Sequence, residues 1–311
     1  MSVSIIIIIM LMKVIWPVVM LLASLVVIVQ STETTTVING QTVVDLTHPL
    51  NSQTLHWIDA RDFELKITVN GTVRRGESNI WVQADEIYMA THTGTHLDAP
   101  CHFARGKWSV ADIPIVNFVH RPVALIDIVD QSMATRDYEL SVRDIHDWEK
   151  QNGPIVDGSV ILVRTGWARF WPKKLEYFGT ETKDEALLHF PGVHPEAAQW
   201  IVDNRQIMGI GIDSPSIDHG QSKQYRSHQI FAQKNIYHLE NIAQNIHKLP
   251  AVGAHLTLLP LKIDGASGTS VRIIAEIGVD NTMASISNSQ QCFAPNLLLL
   301  LSFVTLRYII S

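Results

Sequence analysis

The middle of the chain alternates short apolar runs with amphipathic segments. Apolar runs bounded by turn residues predict buried strands, and they span residues 123–128, 160–165, 207–212 and 271–277. Segments 142–150 and 195–204 predict helices instead, because Ser141 can cap the first and Pro195 suits the first turn of the second. Strand segments outnumber helices and no linker interrupts them, so the pattern predicts one mixed α/β domain.

A long apolar segment precedes this domain. Residues 5–29 are almost wholly apolar, and Ser31 follows them as a small residue near a cleavage position. We expect residues 1–31 to be a signal peptide that is cleaved. The alternative is an uncleaved signal anchor, because the run nearly reaches the ~20 residues that span a bilayer. Either segment directs domain 32–280 into the secretory pathway, to the cell surface or the extracellular space.

A second apolar segment closes the chain. A stretch of small and polar residues begins at 281, and an apolar tail follows from 297 to 310. This order is typical of the signal that a glycosylphosphatidylinositol (GPI) anchor replaces. Arg307 weakens this pattern, because it places a charge in the apolar tail. The tail is also short for a transmembrane helix, which favours the anchor over a membrane span. We therefore expect residues 281–311 to be an anchor signal, which would tie the protein to a membrane through lipid.

Composition narrows the range of functions. A hydrophobic content of 46% with 17% charged residues suits a well-buried core, and the net charge of −6 argues against a nucleic-acid partner. Cys101 and Cys292 are the two cysteines, and Cys292 would leave with the tail, so no internal disulfide is expected. Asn70 begins the single N-glycosylation acceptor, in a turn-like stretch that ends at Gly76. We expect Asn70 to be exposed and glycosylated.

The most informative motif is the stretch THTGTHLDAPCHF. It places three histidines and an aspartate within eleven residues, at His92, His96, Asp98 and His102. Imidazoles and carboxylates are ordinary ligands of Zn²⁺ and Mn²⁺. In extended chain these four positions point to one side, but a straight strand would separate the outermost pair by roughly 33 Å. Gly94 and Pro100 allow the chain to bend. The motif predicts a metal site on a strand end that runs into a bent loop, with Cys101 pointing away from the metal.

Residues 92–102 match the pattern H-x-G-T-H-x-D-x-P-x-H, and the chain from about 43 to 279 resembles the cyclase family. That family includes metal-dependent kynurenine formamidases and isatin hydrolases. The resemblance implies a β/β/α fold built round a barrel-like sheet, in a single globular domain. It also implies a hydrolase of non-peptide C–N bonds, similar to an arylformamidase.

The resemblance assigns roles to individual positions. It implies that two metals share five ligands: His92, His96, Asp98, His228 and Glu240. Asp98 and Glu240 would bridge both ions, His102 would transfer protons without binding metal, and Trp57 would line the substrate pocket. We expect two Zn²⁺ ions, with Mn²⁺ as the alternative. Relatives with glutamine at the position of Glu240 bind one metal, so this glutamate favours two.

Outside the motif, simpler interpretations remain open. By itself His228 reads as a surface histidine, Glu240 as an acid at a helix start, and Trp57 as a buried core residue. Residues 213–219 follow a glycine-laced strand and combine carboxylates with a plain turn signal, so they fit a site and a turn equally. We do not assign them as ligands.

The expected reaction is attack of metal-activated water on a small molecule. An aryl formamide similar to N-formylkynurenine, as in tryptophan catabolism to kynurenine, or a cyclic amide would serve as substrate. Export places the first of these substrates in doubt, because that pathway is intracellular. Two alternatives stay open: a cell-surface binding protein that retains a structural metal site, and a metal-dependent cyclase or isomerase. The chain has no Gly-x-Ser-x-Gly elbow. We expect a homo-oligomer, a dimer.

Overall fold

A computed structural model of the protein describes residues 35–38 and 40–278. Within these residues the strands are β1 Thr35–Ile38, β2 Gln41–Asp45, β3 Glu64–Arg75, β4 Ser78–Tyr88, β5 His96–Asp98, β6 Arg121–Asp127, β7 Glu139–Leu140, β8 Val160–Arg164, β9 Gly192–Val193, β10 Gly209–Ile212, β11 Tyr237–Glu240, β12 Ala254–Pro260 and β13 Gly268–Ile277. The α-helices of the same residues are α1 Val129–Ala134, α2 Val142–Asn152, α3 Lys174–Phe178, α4 Pro195–Asn204 and α5 Arg226–Ala232. The predicted signal peptide, 1–31, and anchor signal, 281–311, lie outside the described residues. None of the described helices is long and apolar enough to cross a membrane.

Seven strands close into a barrel. Their order is β13-β12-β6-β8-β10-β11-β5, and β5 pairs back with β13. Strands β6, β8, β10 and β11 run parallel to one another, and the remaining contacts of the ring are antiparallel. Because each strand of the ring has two partners, the ring has no free edge. The barrel-like sheet in a single α/β domain confirms the fold expected from the sequence.

Alternating side chains build two cores. On β6, Val123 and Leu125 join the apolar cluster inside the barrel, whereas Ala124 and Ile126 join a second cluster outside it. Helices α2 and α4 cover the outer cluster with Trp148 and other apolar side chains. The two-residue period of a strand thus supplies both faces of the same sheet.

Two glycines of β10 make room inside the barrel. A Cβ at Gly209 would lie 2.2 Å from the ring of Tyr237, and one at Gly211 would lie 2.8 Å from Ile242. The space on the barrel side of β10 is therefore filled by the side chains of neighbouring residues, here Tyr237 and Ile242. The strand begins at Gly209, whereas the apolar run predicted a start at Ile207.

The two predicted helices are confirmed. Helix α2 starts at Val142, and the backbone N–H of Asp144 donates to Oγ of Ser141 at 3.3 Å. The carboxylate of Asp144 accepts the N–H of Ser141 at 2.8 Å, which completes a capping box. Helix α4 covers residues 195–204 as expected, with Pro195 in its first turn.

A long hairpin, β3–β4, was not expected from the sequence. Asn70 lies within β3, where it pairs with Gln83, so its predicted turn-like setting is wrong. The turn falls at Gly76 and Glu77, between the paired residues Arg75 and Ser78. Pairing along the whole ribbon overrides the local turn preference of Asn-Gly. The side chain of Asn70 is nevertheless exposed, as an acceptor site requires.

Candidate metal centre

The site begins on the outer face of the barrel, where β5 pairs with β11. His96 stands opposite Glu240, and His238 stands opposite Asp98. Leu97, between the two β5 residues, points into the barrel core. Because alternate residues of a strand share a face, the register places two imidazoles and two carboxylates side by side.

A bend in the chain adds two further histidines. Gly94 has φ +64°, a left-handed conformation that suits glycine, and Pro100 starts a 3-10 turn that ends at His102. Nδ1 of His92 consequently lies 2.6 Å from Oδ1 of Asp98. The rings of His92 and His102 stack with their centroids 4.1 Å apart. The strand end and bent loop predicted from the motif are confirmed.

His92, His96 and Asp98 form a group whose ligand atoms all lie within 4.8 Å of one another. Nε2 of His96 is 3.1 Å from Oδ1 of Asp98 and 3.4 Å from Oε2 of Glu240. Nδ1 of His96 donates to the carbonyl of Gly94 at 3.0 Å, which leaves Nε2 as the ligand atom. The far nitrogen of His92, Nε2, is similarly held by Oγ of Ser267 at 3.0 Å.

Helix α5 places His228 over this group. Nε2 of His228 lies 3.0 Å from Oε1 of Glu240 and 3.6 Å from Oδ2 of Asp98. Oε1 of Glu240 also accepts the backbone N–H of Ile217 at 3.0 Å, which fixes the carboxylate. The structure therefore brings all five sequence-predicted ligands together, although two of them lie more than a hundred residues from the motif.

Asp218, whose role the sequence left undecided, contacts one of the candidate ligands. Its Oδ2 accepts Nδ1–H of His228 at 2.7 Å and the backbone N–H of the same residue at 3.1 Å. A carboxylate on the far nitrogen of a ligand histidine orients the ring and raises its basicity. Asp213, in the same loop, instead accepts backbone N–H groups of Thr165 and Gly166 and holds a turn. At one end of the loop Asp218 thus orients a candidate ligand, and at the other end Asp213 stabilises a turn.

His238 was missed by sequence reasoning. It is fully buried, and with Asp98 and His228 it forms a second group of ligand atoms within 4.8 Å of one another. The signal in the sequence is its position two residues before Glu240, which places both side chains on one face of β11.

The electrostatics of the site favour a cation. Burial opposes ionisation of Asp98, yet the charge and hydrogen bonds of His92 and neighbouring imidazoles hold its pKa well below the ordinary value. Burial and the negative charge of Asp98 would both raise the pKa of Glu240, but hydrogen bonds from His228 and His96 lower it to about 2. Burial alone would lower the pKa of His96, but hydrogen bonds to Asp98 and Glu240 raise it to about 10. The two carboxylates thus attract positive charge, and these nitrogen and oxygen donors fit a divalent metal in place of the protons.

His102 differs from the other histidines. Its Nε2 lies 3.9 Å from Oδ2 of Asp98, and its side chain is one-third exposed. Burial lowers its pKa to about 4 despite the opposing charge of Asp98. Its imidazole is therefore neutral near pH 7 and faces the cavity from outside the two ligand groups.

A cavity of about 310 Å³ opens over the cluster. Its aromatic walls are Trp57, Phe103, Phe178 and Tyr225. Trp57 makes edge contacts with Phe178 and Tyr225, at centroid distances of 6.5 and 6.3 Å. Trp57 therefore forms part of the cavity wall next to the candidate ligands, and the volume suits a small molecule.

The chain is similar to known hydrolases over most of its described length. The model of the Cyclase family, described as "Putative cyclase", matches residues 44–219. An isatin hydrolase of Roseibium aggregatum is 31% identical over 194 residues, which are 60% of this chain and 72% of that protein. A kynurenine formamidase of Salinibacter ruber is 25% identical, over 75% of this chain and 96% of its own. The solved isatin hydrolase A of Ralstonia solanacearum superposes with a TM-score of 0.68 at 29% identity, covering 76% of this chain and 92% of that one.

Proposed function

Because the chain belongs to the cyclase family, we propose that it is a metal-dependent hydrolase that cleaves the C–N bond of a small aryl amide. The substrate is either an aryl formamide of the N-formylkynurenine type or a cyclic amide of the isatin type. One observation carries the proposal: the six residues His92, His96, Asp98, His102, His228 and Glu240 converge beneath a single aromatic cavity.

The chemistry divides between the cation and the chain. A divalent cation in this site supplies Lewis-acid polarisation of a carbonyl oxygen and acidifies water. His102 is neutral near pH 7, so it can accept a proton from water and deliver it to the leaving nitrogen. Its position beside Asp98, but outside the two ligand groups, leaves its Nε2 available for that transfer.

The aromatic walls define the class of substrate. Trp57 and Phe103 flank the cavity above the carboxylates, and Tyr225 lies 5.5 Å from Phe103 between ring centroids. Planar rings stack well on such surfaces. An aryl group held there would present an attached amide carbonyl to the histidine–carboxylate cluster.

We further propose two Zn²⁺ ions, with Mn²⁺ as the alternative. Asp98 lies between the two groups, since its Oδ1 faces His92 and His96 while its Oδ2 faces His228. Glu240 likewise offers Oε2 to His96 and Oε1 to His228. Each carboxylate thus has one oxygen towards His96 and the other towards His228. This arrangement supports two metal ions that share both carboxylates.

One experiment tests the hydrolase proposal. The purified protein is analysed for bound metal and assayed with N-formylkynurenine and isatin, with formate release marking the first substrate and ring opening the second. We expect bound divalent metal and turnover of at least one compound, and loss of both metal and turnover in His96→Ala. The exposed residue change His247→Ala serves as the control and should alter neither. Full metal occupancy in His96→Ala would refute the site, and bound metal without turnover of either compound would favour a binding protein.

We also propose a homo-oligomer that uses the β3–β4 hairpin. Leu65 pairs with Ile87 on this ribbon, and both are more than half exposed. A two-stranded ribbon is only marginally stable in water, so a second copy of the chain that covers this face would stabilise it. Light scattering should show a dimer that Leu65→Gln weakens. Lys66→Gln, which changes the opposite face, is the matched control, and a native monomer would exclude the proposal.

A further inference from the structure

His238 lies in the metal centre but has no part in the reaction proposed above. Its side chain shares the outer face of β11 with Glu240 and stands opposite Asp98 in the antiparallel pair. No part of it is exposed to solvent. Its ring meets the ring of His228 edge-on, at a centroid distance of 4.8 Å. It therefore lies between the sheet and helix α5, directly beneath a proposed ligand.

Neither ring nitrogen of His238 has a hydrogen-bond partner among the described residues. An imidazole carries at least one donor or acceptor on each nitrogen. Native proteins rarely leave such groups unsatisfied in their interior, and each exception calls for an explanation. A hydrophobic side chain of similar shape would fill the same space without that cost.

The position of His238 supplies the explanation. One of its nitrogens lies within 4.8 Å of an Asp98 oxygen and a His228 nitrogen. Ligand atoms at roughly 2.1 Å from a shared ion lie up to about 4.2 Å apart, so a small side-chain rotation would bring all three to one cation. We propose that His238 is a nitrogen ligand of the second cation, together with Asp98 and His228. This inference rests on the proposed metal-dependent function.

A second nitrogen at this position also affects which metal binds. Imidazole suits Zn²⁺, whereas a site composed mostly of carboxylates suits Mn²⁺. His228 and His238 together give the second position two nitrogen donors, next to the oxygens of Asp98 and Glu240. The second position therefore prefers Zn²⁺ to Mn²⁺, and His238 provides part of that preference.

Calorimetric titration of the metal-stripped full chain tests this role, with Zn²⁺ and Mn²⁺ titrated separately. His238→Phe keeps the shape of the ring and removes both nitrogens. We expect this variant to retain the first zinc ion and to bind the second at least about tenfold more weakly. Its affinity for Mn²⁺ should fall by a smaller factor than its affinity for Zn²⁺. Because the removed atoms have no hydrogen-bond partner in the described structure, the metal-free variant should unfold at no lower temperature than the native chain.

The matched control is His48→Phe. His48 also has an unpartnered Nε2, but it is only partly buried and its ring stacks on Trp171 at 4.2 Å. It belongs to neither ligand group. The same substitution there should leave both zinc affinities unchanged, which separates loss of a ligand from loss of a buried histidine in general.

Several results would overturn the inference. Unchanged binding of two zinc ions by His238→Phe overturns it alone, whereas a native chain that binds no divalent metal overturns the proposed function as well. If the native chain binds one ion, loss of that ion in His238→Phe supports the role and its retention refutes it. Should the variant fail to fold, nitrogen NMR of the native protein with Cd²⁺ decides, since direct coupling between cadmium and the His238 ring is expected and its absence excludes ligation.

Discussion

The imidazole of His92 occupies the space that a side chain at Gly268 would need. A Cβ at Gly268 would lie 2.5 Å from Cε1 of His92 and 2.8 Å from the carbonyl oxygen of Leu97. Gly268 pairs with Asp98 on the neighbouring strand, so the missing side chain leaves room beside that carboxylate. The close approach of His92 to Asp98 thus depends on a glycine from a distant part of the chain.

Gly268→Ala should displace His92 and weaken the first metal position. Packed interiors do not absorb a contact of 2.5 Å, and His92 is the group that can move. We expect zinc affinity at that position to fall at least about tenfold, measured by titration of the stripped protein. Gly71→Ala is the control, because a Cβ there meets nothing within 4 Å. Equal affinities in the two variants would show that the glycine has no such role.

His102→Ala should separate catalysis from metal binding. His102 lies outside both ligand groups, so metal content should stay near the native value. Loss of proton transfer should reduce turnover by roughly 10² to 10⁴. His102→Phe preserves a ring that can stack on His92 and should lose as much activity. Loss of metal from the phenylalanine variant would identify His102 as a ligand instead.

Asp218→Asn should act through His228. The change keeps the side-chain shape but removes the charge that faces Nδ1 of His228 at 2.7 Å. We expect affinity for the second ion to fall by about 10- to 100-fold, with the first ion retained. Asp137→Asn alters another aspartate–histidine pair, which is more exposed, since Asp137 lies 2.6 Å from Nδ1 of His189 outside the site. Metal titration of both variants checks the prediction, and a similar response from both would contradict it.

His48 should make the protein sensitive to acid. Burial lowers its pKa from 6.5 to about 4, although the charge of Asp45 acts in the opposite sense. The unfolded chain therefore binds a proton between these values while the folded chain does not. The stabilisation is complete above pH 6.5 and declines as the pH falls towards 4, by at most about 3 kcal/mol.

Denaturant unfolding at pH 7 and pH 4.5 measures this loss. His48→Phe carries no titrating group at that position, so its free energy of unfolding should fall less between the two pH values than that of the native chain. The metal centre titrates in both proteins and cancels in the difference. An identical pH dependence would show that His48 does not contribute.

The last prediction concerns the C-terminal segment, residues 281–311, which lies outside the described residues. If residues 281–311 are an anchor signal, a phospholipase that cuts inositol-lipid anchors should release the protein from intact cells. Truncation after Asp280 should give a secreted and active enzyme, because β13 ends at Ile277 and every proposed ligand precedes it. Detection of peptides from residues 297–310 in the mature protein by mass spectrometry would refute the anchor.

Local chemistry explains what the sequence could predict. The motif concentrates its ligand types between His92 and His102, so spacing alone predicted a bent metal site there. Capping at Ser141 and Pro195 likewise depends on neighbours in the chain, and both helices start where expected. The continuous apolar run at residues 123–128 predicted a buried strand, since a strand with two apolar faces must be covered on both sides.

The hairpin shows where local signals fail. Asn70-Gly71 favours a turn by itself, but the ribbon continues through it and turns at Gly76. A turn preference is a small free-energy difference, and the eleven paired positions between β3 and β4 outweigh it. The sequence correctly predicted that the polar side chain of Asn70 is exposed. It did not predict the strand around Asn70, which depends on pairing with β4.

The sequence by itself predicted the type of site and a mixed α/β domain, and the family pattern implied the barrel-like sheet and the positions of the candidate ligands. Only the tertiary structure decided which groups surround those ligands. Asp218 reaches His228 through a loop, Gly268 opens space for His92 from another strand, and His238 faces Asp98 because of the register between β11 and β5. Register and loop closure depend on contacts between residues far apart in the chain, and no local pattern of hydrophobic and polar residues encodes those distances.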